Sequence, residues 1–169
     1  MGLTASLSVA ATVQQTKPLD LTTASDPLAF RRAVQLVDGT TAGKADRVFH
    51  DRRTLAASAS EELDLAGALT DAFGQALTLG RVKGLFIAAA AANTNNVILG
   101  NASTNAWAAL LGATGTVTLR PGTCLGVMTG PADATAYPVT AGTGDLLKVA
   151  NSAGGTGVTY DVVIVGTSA

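Results

Sequence analysis

The sequence predicts an all-β fold: an antiparallel two-sheet sandwich of jelly-roll type, with an N-terminal strand carried as an arm. Three observations predict it. Short β-patterned runs recur along the chain between Gly, Pro and Asn turn signals. No long segment keeps a helical period free of interior glycine. The first segment alternates strictly, with Leu3, Ala5, Leu7, Val9, Ala11 and Val13 interleaved with Thr4, Ser6, Ser8, Ala10 and Thr12. A length of 169 residues suits one domain with an arm. The expected division is an arm at 1–28, made of the first strand and an irregular linker, and a sandwich domain at 29–169.

Each element has its own signal. Residues 14–28 (QQTKPLDLTTASDPL) hold two prolines among Thr, Ser and Asp, and read as an irregular connection. A strand is expected at 29–37, closed by the Asp38-Gly39 turn signal, and another at 46–55. Leu63 and Leu65 alternate with Glu62 and Asp64, again a strand pattern. In DLAGALTDAFGQAL the leucines recur at helical spacing, but Gly67 and Gly74 each cost a helix about 1 kcal/mol. A loop, with at most a turn of helix, is expected there. It leads into a strand at 76–91, whose interior glycines suggest a bulge or a close approach. After the turn-rich Asn93–Asn96 come short strands at 96–100, 115–120, 123–128, 137–140, 145–150 and 158–166. Pro121-Gly122 reads as a tight hairpin turn between two of them. NAWAALLGA, at 105–113, allows a helical turn holding Trp107, the single tryptophan.

Composition narrows the chemistry. The formal charge is −1, so no basic field favours nucleic acid. Charged residues are 14% of the chain and cluster in 31–64, whereas 93–144 holds only Arg120 and Asp133. A surface so poor in charge is hydrated by Thr, Asn, Ser and backbone, or is covered by a neighbour. Cys124 is the one cysteine, which excludes a disulfide framework, and its apolar surroundings predict a small buried side chain. The N-terminus lacks a signal peptide's basic head and apolar core. MGLTAS has the form of a myristoylation signal, but the strand alternation accounts for the same residues. The longest apolar run is too short to span a bilayer, so a soluble chain with no membrane partner is expected.

The stretch richest in chemistry is DRVFHDRRTL, residues 46–55, which contains His50, the only histidine. At strand period Asp46, Val48, His50, Arg52 and Thr54 face one way, and Arg47, Phe49, Asp51, Arg53 and Leu55 the other. His50 and Asp51 therefore cannot act together as base and orienter. With no second histidine and no nearby cysteine, a metal site is not expected. Alternating signs on each face suit cross-strand ion pairs on a polar strand. No nucleophile elbow is present, GTGD at 142–145 lacks the Lys-Ser/Thr of a phosphate loop, and of the acids Glu61, Glu62 and Asp64 the adjacent pair Glu61 and Glu62 face opposite ways. Asn93, Asn95 and Asn96 could hold a sugar or calcium, but turn chemistry explains them more simply. The expectation is a chain with no catalytic, cofactor-binding or metal residues.

Several phrases carry a likeness: DLAGALTDAFGQALTLGRVKGLFI, NTNNVILG, and the tail from VTLRPGTCLGVM through YPVTAGTGDLLKVANSAGGTGVTYDVVIVG. With the Ala/Gly/Thr/Val-rich, histidine-poor composition, they resemble β-sandwich structural proteins of tailed-bacteriophage virions, over about residues 45–166. These are head-decoration (cement) proteins or related tail proteins. The resemblance implies a virion protein made in the host cytoplasm that sits on the head surface. It would bind the major capsid protein, or another virion protein, and its own copies in a closed oligomer, with a trimer expected. The arm and charged block would supply the contacts, through Leu3, Leu7, Val9, Arg31, Arg32, Arg47, Arg52 and Arg53. A tail, baseplate or receptor-binding component touching host glycans through the Asn/Thr-rich loops is the alternative. A cupin-like enzyme is a third reading, opposed by the missing histidine cluster.

Overall fold

The computed structural model describes residues 2–67 and 69–169. In chain order the strands are β1 (Ala5–Pro18), β2 (Thr23–Asp38), β3 (Lys44–Ala45), β4 (Arg47–Leu55), β5 (Ser60–Asp64), β6 (Arg81–Ala89), β7 (Val97–Gly100), β8 (Thr116–Leu119), β9 (Cys124–Met128), β10 (Tyr137–Pro138), β11 (Leu146–Asn151) and β12 (Val158–Thr167). One helical turn, α1 (Ala108–Leu111), follows Trp107. No helix is long and apolar enough to cross a membrane.

The body consists of two antiparallel sheets. The first runs β4-β12-β6-β9, with the short β10 also on β6; the second runs β5-β11-β7-β8. Alternation sorts the side chains. Phe49, Leu85, Ile87, Tyr160, Val162 and Ile164 from the first sheet meet Leu63, Val97, Leu99, Leu119, Leu147 and Val149 from the second in one buried cluster. Trp107 closes an end of this core. Its Nε1–H donates to the Pro138 carbonyl at 2.9 Å, and its ring meets Tyr137 edge-on at 6.3 Å. Between β6 and β12 the register shifts, pairing Val165 with Gly84 but Gly166 with Val82. Lys83 is the extra residue of this bulge, which allows both Val82 and Leu85 to reach the core.

The N-terminal third departs most from expectation. Residues 14–28 are not an irregular linker. β1 and β2 pair antiparallel without interruption from Ala5↔Leu36 to Pro18↔Thr23, around a turn in which Leu19 N–H donates to the Thr22 carbonyl at 2.8 Å. Fourteen paired positions at strand rise make a ribbon about 45 Å long. Both prolines are compatible with it, because Pro18 ends a strand and Pro27 lies where β2 has no second neighbour.

Only the root of the ribbon packs on the body. Leu7, Val34 and Leu36 join Ala45 and Val165 in a second small core on the outer face of the first sheet. Two glycines there permit the approach. A Cβ on Gly84 would lie 2.5 Å from Leu7 Cδ1, and one on Gly126 would press the Phe86 ring at 3.0 Å with Val9 beyond. The close approach suggested by the glycines of the 76–91 run is thus real at Gly84.

Two smaller expectations change as well. Pro121-Gly122 does form a tight turn, with Thr123 N–H donating to the Arg120 carbonyl at 2.9 Å and Gly122 at φ 79°. It is a corner between sheets and not a hairpin, since β8 belongs to the second sheet and β9 to the first. Cys124 is exposed and not buried. In β9 the strand period gives the inner positions to Leu125 and Val127, placing Cys124, Gly126 and Met128 outside.

Candidate functional site

Beyond its root, where Val9 still touches β9 at Gly126, the ribbon has no cover on either face, and every residue from Ser8 to Ala33 is exposed. Its two faces differ. One carries Val9, Ala11 and Val13 beside Phe30 and Leu28, continuing outward from the buried Leu7 and Val34. The other carries Ser8, Ala10, Thr12 and Gln14 beside Ala33, Arg31, Ala29 and Pro27. Of the nine large hydrophobic side chains exposed on the described residues, Val9, Val13, Leu19, Leu21, Leu28 and Phe30 belong to this ribbon. Leu21 at its tip is 98% exposed. Arg32 shares the apolar face and lies with its guanidinium 5.0 Å from the Phe30 ring centre, a cation–π contact covering part of that ring. Such a ribbon is marginal in isolation, because a two-stranded hairpin without a covered face lacks burial to offset its ordering entropy.

The residues singled out from sequence fall into separate groups. Val9, Arg31 and Arg32 lie on the free ribbon, with Arg31 and Arg32 on opposite faces. Leu3 is half-buried at the root, and Leu7 is committed to the chain's own second core. Arg47, Arg52 and Arg53 lie on β4, whose two faces divide as strand period requires. His50 is exposed opposite Val163, while Phe49 and Leu55 point inward.

The β4 charges are engaged within the chain. Arg52 forms a two-pronged pair with its cross-strand partner Asp161, Nε to Oδ1 at 2.6 Å and one terminal NH2 group to Oδ2 at 3.0 Å. That bond holds the Asp161 carboxyl below its ordinary pKa. Arg47 pairs with Asp46 at 3.2 Å. Arg53 reaches across to the second sheet, where its Nε donates to Glu61 at 2.7 Å, and a terminal NH2 group donates to Asp51 at 2.9 Å. The other Glu61 oxygen accepts from the buried Tyr160 hydroxyl at 2.7 Å. Tyr160, Glu61, Arg53 and Asp51 therefore rivet β12 and β4 to β5 at the open side of the sandwich. Burial and the carboxylate raise the Tyr160 pKa well above its ordinary 10.0, and the Glu61 bond raises that of Arg53.

A cleft of about 360 Å³ beside this rivet is lined by His50, Glu62, Asp64 and Asp71 among others. Among the described residues, no three of His, Cys, Asp and Glu come together as metal ligands would. The asparagine loop is also occupied internally. Asn93 exchanges two hydrogen bonds with the Thr159 backbone at 2.8 and 2.9 Å, imitating a strand partner. Asn95 donates to Asn151 and to the carbonyls of Ala153 and Thr156, each at 3.0 Å. Both side chains are thus engaged across the fold, with Thr159 and with the 151–156 loop, and not in the local turn bonds expected from sequence.

Sequence reasoning missed Lys83. It is 1% exposed, with its Nζ donating to the carbonyls of Thr41 at 3.1 Å and Asp133 at 3.2 Å. The bulge turns this side chain into the body, where it ties the ribbon's root turn to the 130–136 loop. Burial lowers its pKa. The VKGL phrase contained the signal, a lysine beside a glycine in an apolar strand, but a register shift cannot be read from one strand alone. No protein-family model, curated protein or solved structure matches the chain.

Proposed function

We propose that this chain is a structural subunit of a tailed-bacteriophage particle that decorates the head, binds the major capsid protein and its own copies, and stabilises the shell. We further read its body as a jelly roll. Counting the eight main body strands from β4 and omitting β10, the first pairs with the last (β4-β12), the second with the seventh (β5-β11), the third with the sixth (β6-β9) and the fourth with the fifth (β7-β8). That nesting is expected of one long hairpin rolled into two sheets. Jelly rolls serve capsids, lectins and cupins alike, so the fold does not choose among them.

The observation that carries the functional reading is the ribbon. A projecting hairpin with an uncovered apolar face is suited to lie on another subunit and has no evident purpose in an isolated monomer. The lectin-like alternative loses support because the Asn93 and Asn95 amides are spent within the chain. A cupin-like enzyme lacks the histidines to hold its metal, with His50 alone in the sequence. The reading assigns the protein no catalytic role. A tail position remains the second placement of the same contact surface.

Locating an epitope-tagged copy in intact particles by electron microscopy tests the proposal. Label over the head surface is the expected result; label on the tail or baseplate selects the alternative, and its absence from particles removes both.

A further inference from the structure

We propose that the outer edge of β1 pairs with β1 of a second copy, joining two ribbons across a two-fold axis into one four-stranded sheet, β2-β1-β1-β2. This inference does not depend on the particle reading.

The argument begins with the free edges. The strands that end sheets are β1, β3, β4, β5, β8, β9 and β10. Exposed edges invite another strand, and soluble proteins blunt them with charge, proline or shortness. β4 carries Arg47, Asp51, Arg52 and Arg53; β5 carries Glu61, Glu62 and Asp64; β8 and β9 are four and five residues long, and β3 and β10 two each. β1 has none of these guards. It is 14 residues long, no charge occurs before Lys17, and its one proline is the last residue. Among the described residues nothing pairs with its outer side.

The other side of the ribbon is guarded. Between Thr23 and Leu36 the outer edge of β2 is also unpaired, but it carries Asp26, Pro27, Arg31 and Arg32. Two ribbons joined through β1 thus present only guarded β2 edges, and assembly stops at two copies.

The choice of a second copy over an unlike partner rests on symmetry and on the absence of charge. An antiparallel pair of identical strands is self-complementary, as a two-fold interface requires, and uncharged strands meet without like-charge repulsion. A two-fold axis perpendicular to the ribbon keeps both apolar faces on the same side, so Val9, Val13, Leu28 and Phe30 of both copies form one continuous surface.

Sedimentation velocity of the full chain and two charge variants tests the inference. Ala10→Glu/Thr12→Glu places acids on the polar face, with residue 10 opposite Arg31, so the hairpin itself keeps a favourable cross-strand pair. Ser8→Lys/Thr12→Lys places bases on the same face. The unmodified chain is expected at twice the monomer mass, each variant alone as a monomer, and their equal mixture again as a dimer. A monomeric unmodified chain overturns the proposal, as does a trimer. So do charge variants that keep the unmodified mass, or a mixture that stays monomeric while circular dichroism shows both variants folded.

Discussion

At the scale of single residues, the charged block divides into parts with different consequences. The Arg52–Asp161 pair is largely in solvent, where an ion pair adds little to stability. Arg52→Ala should leave the Tm nearly unchanged. Arg53 is half-buried and shared between two carboxylates, so Arg53→Ala should cost about 1–2 kcal/mol. Thermal denaturation of the two variants side by side checks the contrast. Tyr160 adds a dependence on pH. A tyrosine whose folded pKa is raised contributes stability in full below its unfolded value, near 10, and loses it as pH climbs beyond. The unmodified chain should therefore lose more stability between pH 9 and pH 11 than Tyr160→Phe, as measured by urea titration at both values. Lys83 bonds backbone carbonyls and not a carboxylate. Lys83→Met strands the Thr41 and Asp133 carbonyls and should destabilise by about 1–3 kcal/mol.

At the scale of elements, what was legible from sequence depended on whether a pattern could be read within one segment. The alternation of 3–13, the β4 facing pattern and the short strands after Asn96 are local signals, and each corresponds to a strand. The outer half of the ribbon was hidden because Pro18 and Pro27 are breakers in a central strand but harmless at a strand end or an unpaired edge. Corner and hairpin are likewise alike in sequence: Pro121-Gly122 makes the same tight turn in both, and only the sheet assignment of β8 and β9 separates them. The candidate contact residues divided similarly. Val9 and Arg32 are on the free ribbon, whereas Leu7 has the same alternation but falls over Gly84, a residue distant in the chain whose partner the local pattern does not name. Gly84→Ala tests that fit. The added methyl meets Leu7, so the ribbon root should loosen at a cost of about 1–3 kcal/mol, with faster amide exchange at Leu7 and Val34 than elsewhere in the fold.

At the scale of the whole molecule, the protein joins a self-sufficient body to a ribbon that the body does not cover. The core between the two sheets closes without the ribbon, since its buried residues run from Phe49 to Ile164. A chain in which residues 9–32 are replaced by Asn-Gly keeps the Leu7, Val34 and Leu36 root and should melt close to the unmodified chain. Its loss should appear only in association. The same change provides the most direct measurement of the central claim, that the ribbon attaches this protein to a particle. Heads stripped of the protein would be incubated with either chain and their surface occupancy measured by cryo-electron microscopy. The account predicts ordered density on the head surface with the full chain and bare shells with the shortened one. Equal occupancy by both, or no binding of the full chain, would contradict it.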